Sequence, residues 1–197
     1  MLGAIRRFRS YLKISAVSSI SRRYFVMNSF DGAMTMLGVV VGAHGAQVSD
    51  PKIVIGAGLG ASVAMGMSGF SGAYLTERAE RMRRLKRLKK AMLSDMRKSV
   101  HAKASHAASL WVAVVDGISP ALAAAIPMVP YVLSILNVLS LEQAFVASLA
   151  LIMCTLFGLG AFLGAVSKEN MLLSGLRMII VGAATVLIVM LLGLMPA

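Results

Sequence analysis

The chain has 197 residues, of which 58% are hydrophobic and 14% are charged, and its mean hydropathy is +0.80. A soluble domain of this length needs more polar surface, so the composition excludes an ordinary soluble protein and predicts an integral membrane protein. The net charge of +12 does not predict nucleic-acid binding, because the basic residues flank apolar stretches as membrane-topology signals do.

Residues 1–23 form a basic arm before the first apolar stretch. Its apolar residues recur at helical spacing, with arginine and lysine between them: Leu2, Ile5, Phe8, Leu12 and Ala16. This pattern favours an amphipathic helix on the inner leaflet of a membrane. A mitochondrial transit peptide is the alternative, since the arm has several serines and no acidic residue. A secretory signal is excluded, because no apolar run here reaches the usual length.

The rest of the chain, residues 24–197, is predicted to be a single all-α transmembrane domain. A helix needs about 20 mainly apolar residues to cross the hydrocarbon core of a bilayer. Five stretches meet this requirement: 24–46, 51–75, 107–133, 142–166 and 171–195.

The distribution of lysine and arginine predicts the orientation of these spans. Six of the 20 basic residues lie between Arg6 and Arg23, and eleven lie between Arg78 and Lys103. The first connection has only Lys52, the third has none, and the fourth has two. Because cytoplasmic connections are enriched in basic residues, the N-terminus and the second and fourth connections are predicted to be cytoplasmic, with the C-terminus outside.

The second connection, at about 76–106, predicts a long amphipathic cytoplasmic helix. Apolar residues at three- and four-residue spacing oppose a basic face; they are Leu75, Met82, Leu85, Leu88, Met92, Met96 and Val100. We interpret this helix as a surface element that contacts a symmetry mate or lipid headgroups, where each basic residue contributes roughly 1 kcal/mol near anionic lipid.

Small residues and prolines predict how the spans pack. Glycines four residues apart let helix backbones approach closely in lipid. Such pairs occur in three spans: Gly38 and Gly42, Gly56 and Gly60, Gly160 and Gly164. Three prolines in the third span predict kinks or a broken helix: Pro120, Pro127 and Pro130. Irregular backbone of this kind lines a cavity in a transporter and is merely tolerated in a plain bundle.

Two carboxylates lie inside predicted spans, Asp31 in the first and Asp116 in the third. An ionisable group there costs about 2.5–3.5 kcal/mol on insertion scales, so it indicates a functional site. Both fall at roughly 10–14 Å from the inner boundary, at about 1.5 Å per residue. Two acids at one level, each followed by glycine, can form a cation site or a proton relay. The alternative is that each caps a broken helix or hydrogen-bonds a neighbour.

Other residues give weaker signals. Met65, in the middle of the second span, has a soft thioether that favours a transition metal, although methionine there is usually packing. His44 can be a ligand or an interfacial residue. The single cysteine, Cys154, excludes a disulfide framework and is expected in the apolar core. The sequence has no nucleophile–base pair, HExxH or Walker motif, so neither an enzyme nor a cofactor is predicted.

Four stretches carry a family resemblance. NSFDGAMTMLGVVVGAHGA at 28–46 resembles the first helix of the vacuolar iron transporter (VIT/CCC-type) family. AMGMSGFSGAYLTERAE at 64–80 resembles the second helix and its cytoplasmic extension. ISPALAAAIPMVPYV at 118–132 and GLGAFLGAVSKENMLLSGLRMIIVGAAT at 158–185 resemble the third helix and the last two. The resemblance covers about residues 25–193.

The resemblance implies a homodimeric exporter that moves Fe²⁺ or Mn²⁺ out of the cytoplasm in exchange for protons. It places Asp31 at the first-helix aspartate of the family and Met65 at the second-helix methionine. The family's acidic residue four positions after that methionine is Gly69 here. The acidic, methionine-rich cytoplasmic region is reduced to one basic helix, as in a divergent, prokaryote-like member. Asp116 is hypothesised to replace the missing carboxylate.

The predicted metal-binding residues are therefore Asp31, Met65 and Asp116, and the predicted partners are the divalent metal ion, membrane lipid and a second copy of the chain. The expected location is a prokaryotic plasma membrane, with an organelle membrane as the alternative. Two other functions stay open: a non-metal solute or proton carrier on the same fold, and a non-transporting membrane scaffold whose basic helix binds lipid.

Overall fold

The computed structural model describes residues 17–92 and 100–193, and all regular secondary structure in these ranges is helical. The helices are α1 (Val17–Gly45), α2 (Pro51–Met92), α3 (Val100–Ile135), α4 (Leu141–Ser167) and α5 (Met171–Gly193). Each of these five helices is long and apolar enough to cross a membrane. The prediction of an all-α protein with five candidate spans is confirmed. The proposed amphipathic helix of the N-terminal arm falls mainly on residues 1–16, outside the described ranges.

Short polar side chains mark the starts of three helices. Ser140 and Gln143 form a capping box at the start of α4, in which each side chain bonds to the other residue's backbone N–H. Asp50 accepts a hydrogen bond from the Lys52 N–H at the start of α2, and Asn170 accepts one from the Leu172 N–H at the start of α5. These caps satisfy donors that the first turn of a helix leaves unpaired. They explain why the helices resume after such short connections.

The helix α2 is longer than a membrane is thick. Its 42 residues extend about 63 Å at about 1.5 Å per residue, against about 40–45 Å for a bilayer with its headgroups. The basic segment after residue 75 therefore continues α2 without a break as far as Met92. Of the predicted cytoplasmic helix, residues 76–92 belong to α2 and 100–106 begin α3, while 93–99 lie outside the described ranges.

The described residues divide into two compact units. The first unit contains residues 17–25, 66–92 and 100–118, and its core is a small cluster built on Ala73, Ala108, Val112 and Ala113. The second unit contains residues 26–65 and 119–193. Its larger core joins α1 to α3 and α4 through side chains that include Met36, Leu37, Val40, Ala124, Ile152 and Leu156.

The third span is continuous. Pro120, Pro127 and Pro130 all lie inside α3, which runs unbroken from Val100 to Ile135, so the broken-helix alternative is wrong. Within the second unit, serines of neighbouring helices bond to this stretch. The Ser148 hydroxyl donates to the Pro127 carbonyl at 2.7 Å, and the Ser29 hydroxyl donates to the Ser119 carbonyl at 3.5 Å. Neighbouring serines are one of the means by which membrane helices tolerate proline.

The predicted location of the single cysteine is wrong. Cys154 was expected in the core because its surroundings are apolar, but it is exposed on α4. In a membrane helix an apolar stretch faces lipid as readily as protein, so hydropathy does not distinguish the two sides.

Two glycines of α4 allow close packing against α5. A Cβ placed on Gly160 would lie 2.5 Å from the Ser174 carbonyl oxygen and 2.8 Å from the Gly175 Cα. A Cβ on Gly164 would lie 3.0 Å from the Met171 Cα. The prediction that small residues permit backbone approach is confirmed for this pair. Around Gly38, Gly42, Gly56 and Gly60, no atom of the described residues lies within 4 Å of such a Cβ.

The glycines of α4 give a stability prediction. Gly160→Ala should reduce the free energy of unfolding by about 1–3 kcal/mol, because the methyl group meets backbone atoms of α5 that have no room to yield. Gly158→Ala is the matched control, since nothing among the described residues lies within 4 Å of its Cβ. It should be neutral or stabilising by up to about 1 kcal/mol through helix propensity. Thermal unfolding in detergent measures both variants, and equal losses would contradict the close α4–α5 contact.

Candidate functional site

Asp31 is an exposed carboxylate in the middle of α1. It lies 14 residues before the end of this helix at Gly45, which is about 21 Å along the axis. Its neighbours along the helix, Gly32 and Ala33, are buried against the rest of the second unit. The carboxylate therefore lies within a helix long enough to span a membrane, on the side of α1 that the described chain leaves open.

Thr35 connects the Asp31 face of α1 to Met65. Thr35 follows Asp31 by four residues, so the two side chains are neighbours on one helix face. The Thr35 hydroxyl donates a hydrogen bond to the Met65 sulfur at 3.3 Å. Both of these side chains are half-buried. The second unit thus holds a carboxylate and a thioether on adjoining helices, with Thr35 hydrogen-bonded to the thioether. Thr35 was not identified from the sequence.

The open face of α1 continues as a stripe of small residues. Gly38 and Gly42 follow Asp31 by seven and eleven residues, which returns them to nearly the same side of a helix with 3.6 residues per turn. A Cβ on either glycine would have open space around it within the described chain. A carboxylate and a smooth glycine surface therefore share one unoccupied helix face.

Asp116 lies in the first unit, where its side chain is buried with a residue exposure of 4%. Its carboxylate lies over Gly69: a Cβ on Gly69 would be 2.9 Å from the Asp116 Oδ2 and 3.3 Å from the Asp116 carbonyl oxygen. The Asp116 carboxylate thus occupies the space into which a side chain at position 69 would project.

The glycine that follows each aspartate lies at a helix crossing. Gly32 contacts the backbone of Pro120 on α3 so closely that a Cβ would overlap its carbonyl oxygen. A Cβ on Gly117 would lie 2.8 Å from the Gly66 carbonyl oxygen on α2. Both glycines of the Asp-Gly pairs are therefore required for packing. Pro120 has no backbone N–H, so it cannot donate the helical hydrogen bond that the Asp116 carbonyl would otherwise accept. Gly69 lets α2 approach this carbonyl closely.

Two more methionine sulfurs meet in the second unit. The sulfurs of Met36 and Met128 would lie 2.8 and 3.1 Å from a Cβ on Gly58. Both methionines are almost fully buried, at 1% and 6% exposure, so we interpret them as packing that fills the gap above a glycine. This pair was not identified from the sequence, because spacing along the chain does not show which residues of three different helices meet in the fold.

The second unit contains a cavity of about 510 Å³ beside the C-terminal end of α1. Its lining includes His44, Tyr131 and Glu142. The His44 ring stacks on Phe145 with the ring centroids 3.8 Å apart and an interplanar angle of 9°. His44 therefore belongs to the wall of this cavity and lies 13 residues beyond Asp31 on α1.

Side chains that commonly bind metals are sparse throughout the described residues. Within residues 17–92 and 100–193, no three His, Cys, Asp or Glu side chains cluster closely enough to hold a metal ion. Glu77 and Glu80 on the basic part of α2 pair with Arg81 and Arg84, at 3.1 and 3.6 Å. Since each carboxylate already faces a guanidinium, this stretch of α2 is a poor collector of cations.

The contact between Asp116 and Gly69 gives a second prediction. Gly69→Ala should destabilise the protein by about 1 kcal/mol or more, because the new methyl group presses on the carboxylate. Gly72→Ala, one turn further along α2, has open space and should be nearly neutral. In the double variant Gly69→Ala with Asp116→Ala, the loss of stability should be smaller than the sum of the two single losses, since the carboxylate that the new methyl group would press on is removed. Thermal unfolding of the four variants measures this coupling, and strict additivity would contradict it.

The chain is similar to known proteins over most of its length. An uncharacterized protein of Methanocaldococcus jannaschii is 34% identical over 160 residues, which cover 80% of this chain and 80% of that protein. Residues 78–194, more than half of the chain, match the VIT family. The resemblance noted in the motifs is confirmed, and the chain belongs to the VIT family.

Proposed function

We propose that this protein is a divalent transition-metal transporter that exports Fe²⁺ or Mn²⁺ from the cytoplasm in exchange for protons. The observation that carries this proposal is the arrangement on α1 and α2 of the second unit. Thr35 hydrogen-bonds to the Met65 thioether and lies one helical turn after the Asp31 carboxylate, within two helices that are long and apolar enough to span a membrane. Family membership supports metal transport independently of this geometry.

The exposure of Asp31 argues for a protein or water environment rather than lipid. A carboxylate facing hydrocarbon costs about 2.5–3.5 kcal/mol on insertion scales, and such groups almost always face a bundle interior or an aqueous cavity. Since the described chain leaves this face of α1 open, we propose that a second copy covers it. The transport pathway would then run between two α1 helices and contain two Asp31 carboxylates.

The stripe of Gly38 and Gly42 supports this dimer. Two helices that meet at small residues approach closely enough for backbone contact. The same face carries Asp31, so packing at the glycines would bring the two carboxylates to one level. Two carboxylates would balance the charge of one divalent ion. Without such compensation, moving the ion out of water carries a free-energy penalty of several kcal/mol or more.

The mixed ligand set supports a first-row transition metal. Carboxylate oxygens suit Mg²⁺, Ca²⁺ and Mn²⁺, whereas a thioether is a soft ligand that these hard ions bind poorly. A site with both types favours Fe²⁺ over the alkaline-earth ions, and its carboxylate also suits Mn²⁺. The Thr35 hydroxyl uses one lone pair of the Met65 sulfur, and thereby orients the sulfur towards the α1 face.

The direction of transport rests on the predicted topology. The basic end of α2 projects on the side that the distribution of lysine and arginine assigns to the cytoplasm. With that orientation, the cavity lined by His44 and Glu142 lies on the exit side. Metal would pass from the level of Asp31 to this cavity as protons return.

The test of this function is the transport of Mn²⁺ and Fe²⁺ into proteoliposomes, with and without a pH gradient. Asp31→Asn keeps the shape of the side chain and removes one negative charge per copy. Transport should fall at least about tenfold, which corresponds to about 1.4 kcal/mol, while folding survives. Asp50→Asn is the matched control, because asparagine caps a helix as well as aspartate does and Asp50 lies in an exposed connection.

Two outcomes would decide against parts of this proposal. Normal metal transport by Asp31→Asn would overturn the site, and Asp31 would then have only a structural role. Asp116→Asn tests whether the Asp116 carboxylate replaces the one missing at Gly69. If it does, metal transport should fall about as much as in Asp31→Asn. A mild effect would limit Asp116 to packing against α2.

Met65 should control the choice of metal. Met65→Leu conserves volume and removes the soft ligand. We expect the ratio of Fe²⁺ to Mg²⁺ transport to fall, with little change in the maximal rate for Mn²⁺. Met67→Leu is the matched control, because Met67 is two residues along α2 and 63% exposed. Competition measurements with the two variants test this, and an identical metal preference in both would exclude Met65 as a ligand.

The dimer has its own test. Gly38→Leu should disrupt assembly, because the bulky side chain holds the two α1 helices apart. Gly158→Leu is a suitable control, since its surroundings are equally open but it lies on α4. The oligomeric state in detergent is measured by light scattering. If Gly38→Leu leaves both assembly and transport intact, this face of α1 points to lipid and the pathway between the α1 helices is wrong.

A further inference from the structure

The first unit contains a small cavity beside the basic stretch of α2. Its volume is about 120 Å³, which corresponds to about four water molecules at about 30 Å³ each. Its polar lining consists of Arg78 and Arg81 from α2 with Ser105, His106 and Ser109 from α3. This lining is independent of the Asp31 site, and metal transport makes no use of it.

Arg81 is buried in this lining, with an exposure of only 8%. Its Nε donates to the Glu77 carboxylate at 3.1 Å. Its Nη2 is also buried, and among the described residues it has no hydrogen-bond partner. Arginine keeps its proton at any physiological pH, so this side chain cannot relieve its burial by becoming neutral. A buried donor without a partner indicates an acceptor that the described residues do not supply.

Arg84 shows that this burial is particular to Arg81. Arg84 pairs with Glu80 at the same four-residue spacing, at 3.6 Å, but 66% of its side chain is exposed. The Arg81 side chain is 9% exposed and that of Glu77 is 13% exposed. One ion pair of α2 is thus enclosed in the first unit and the next is on the surface.

The charges around the cavity favour an anion. Residues 78–90 include eight arginines and lysines and one acid, Glu80. The carboxylate that engages Arg81 is that of Glu77, and it occupies Nε rather than Nη2. The Arg78 guanidinium carbon lies 5.9 Å from the ring centroid of Tyr74, and the His106 ring meets the edge of the same tyrosine at 6.3 Å. Tyr74 therefore positions two of the lining side chains.

The depth of Arg81 matches the headgroup layer of a membrane. Arg81 follows Pro51, where α2 begins, by 30 residues, or about 45 Å along the axis. A bilayer with its headgroups is about 40–45 Å thick. With Pro51 at one surface of the bilayer, as the predicted topology implies, the cavity would lie at the level of the opposite headgroups, where phospholipid phosphates and aqueous anions are both present.

We propose that this cavity binds a phosphate group, held by Arg81 Nη2 and Arg78, with His106 and Ser105 as further donors. A guanidinium presents its N–H groups in a planar fork that matches phosphate oxygens. The headgroup of an anionic phospholipid and free inorganic phosphate offer the same chemistry. Binding satisfies the buried Nη2 and stabilises the folded protein by an amount that grows with the logarithm of the ligand concentration once this exceeds Kd.

The experiment measures thermal unfolding of the full chain in neutral detergent. Inorganic phosphate is titrated against chloride at equal ionic strength in one arm. In the other arm, mixed micelles of phosphatidic acid with phosphatidylcholine are compared with phosphatidylcholine alone. Either phosphate source should raise the melting temperature. Arg81→Gln should lower the affinity for phosphate, derived from the titration, at least about tenfold, as expected for loss of a charged hydrogen bond. Arg84→Gln should leave this affinity nearly unchanged.

The two arms of the experiment distinguish free phosphate from a phospholipid headgroup. Stabilisation by inorganic phosphate alone assigns a free anion, and stabilisation by phosphatidic acid alone assigns a lipid headgroup. If Arg81→Gln does not fold, Arg78→Gln and His106→Gln test the same lining without removing a buried charge, and each should weaken binding several-fold. Equal losses in Arg81→Gln and Arg84→Gln would indicate diffuse attraction to a basic surface. That result, or no stabilisation by either source, would overturn the proposal.

Discussion

Every charge that enters the apolar layer of a membrane has to be compensated by protein, water or another charge, and this constraint organises the chain. Most of the basic residues are concentrated at the N-terminus and on the far end of α2. The ionisable groups that remain at membrane depth are few. Asp31 lies on an open helix face and Asp116 is enclosed, so the two carboxylates meet the same constraint in different ways.

Hydropathy was sufficient to predict the elements of the fold. The apolar spans of 20 or more residues were found because a bilayer sets a minimum length for a helix, and the limits of α4 and α5 agree within two residues. The continuity of α2 into its basic segment was less evident, since a change from apolar to charged residues does not interrupt helical hydrogen bonds. Cys154 shows the limit of the method, because lipid and protein interior are equally apolar.

The candidate site was predictable only in part. An aspartate inside a span is visible in any sequence, and Asp31 and Asp116 were identified in that way. Their surroundings were not, because Thr35 and Met65 are 30 residues apart in the chain. The position of the Asp116 carboxylate over Gly69 likewise depends on how α2 and α3 cross. Such crossings are decided by where glycine lets backbones approach, and spacing along one helix does not reveal the partner.

The connection between α4 and α5 has a consequence for the order of folding. Only three residues separate these helices, and Gly160 and Gly164 fit against the start of α5. Contacts between segments so close in sequence form quickly, whereas distant segments must first close a long loop. The hydrogen bond from Ser29 to Ser119 spans 90 residues. The α4–α5 hairpin should therefore form early after membrane insertion and present a finished surface, while α1 reaches its place against α3 late.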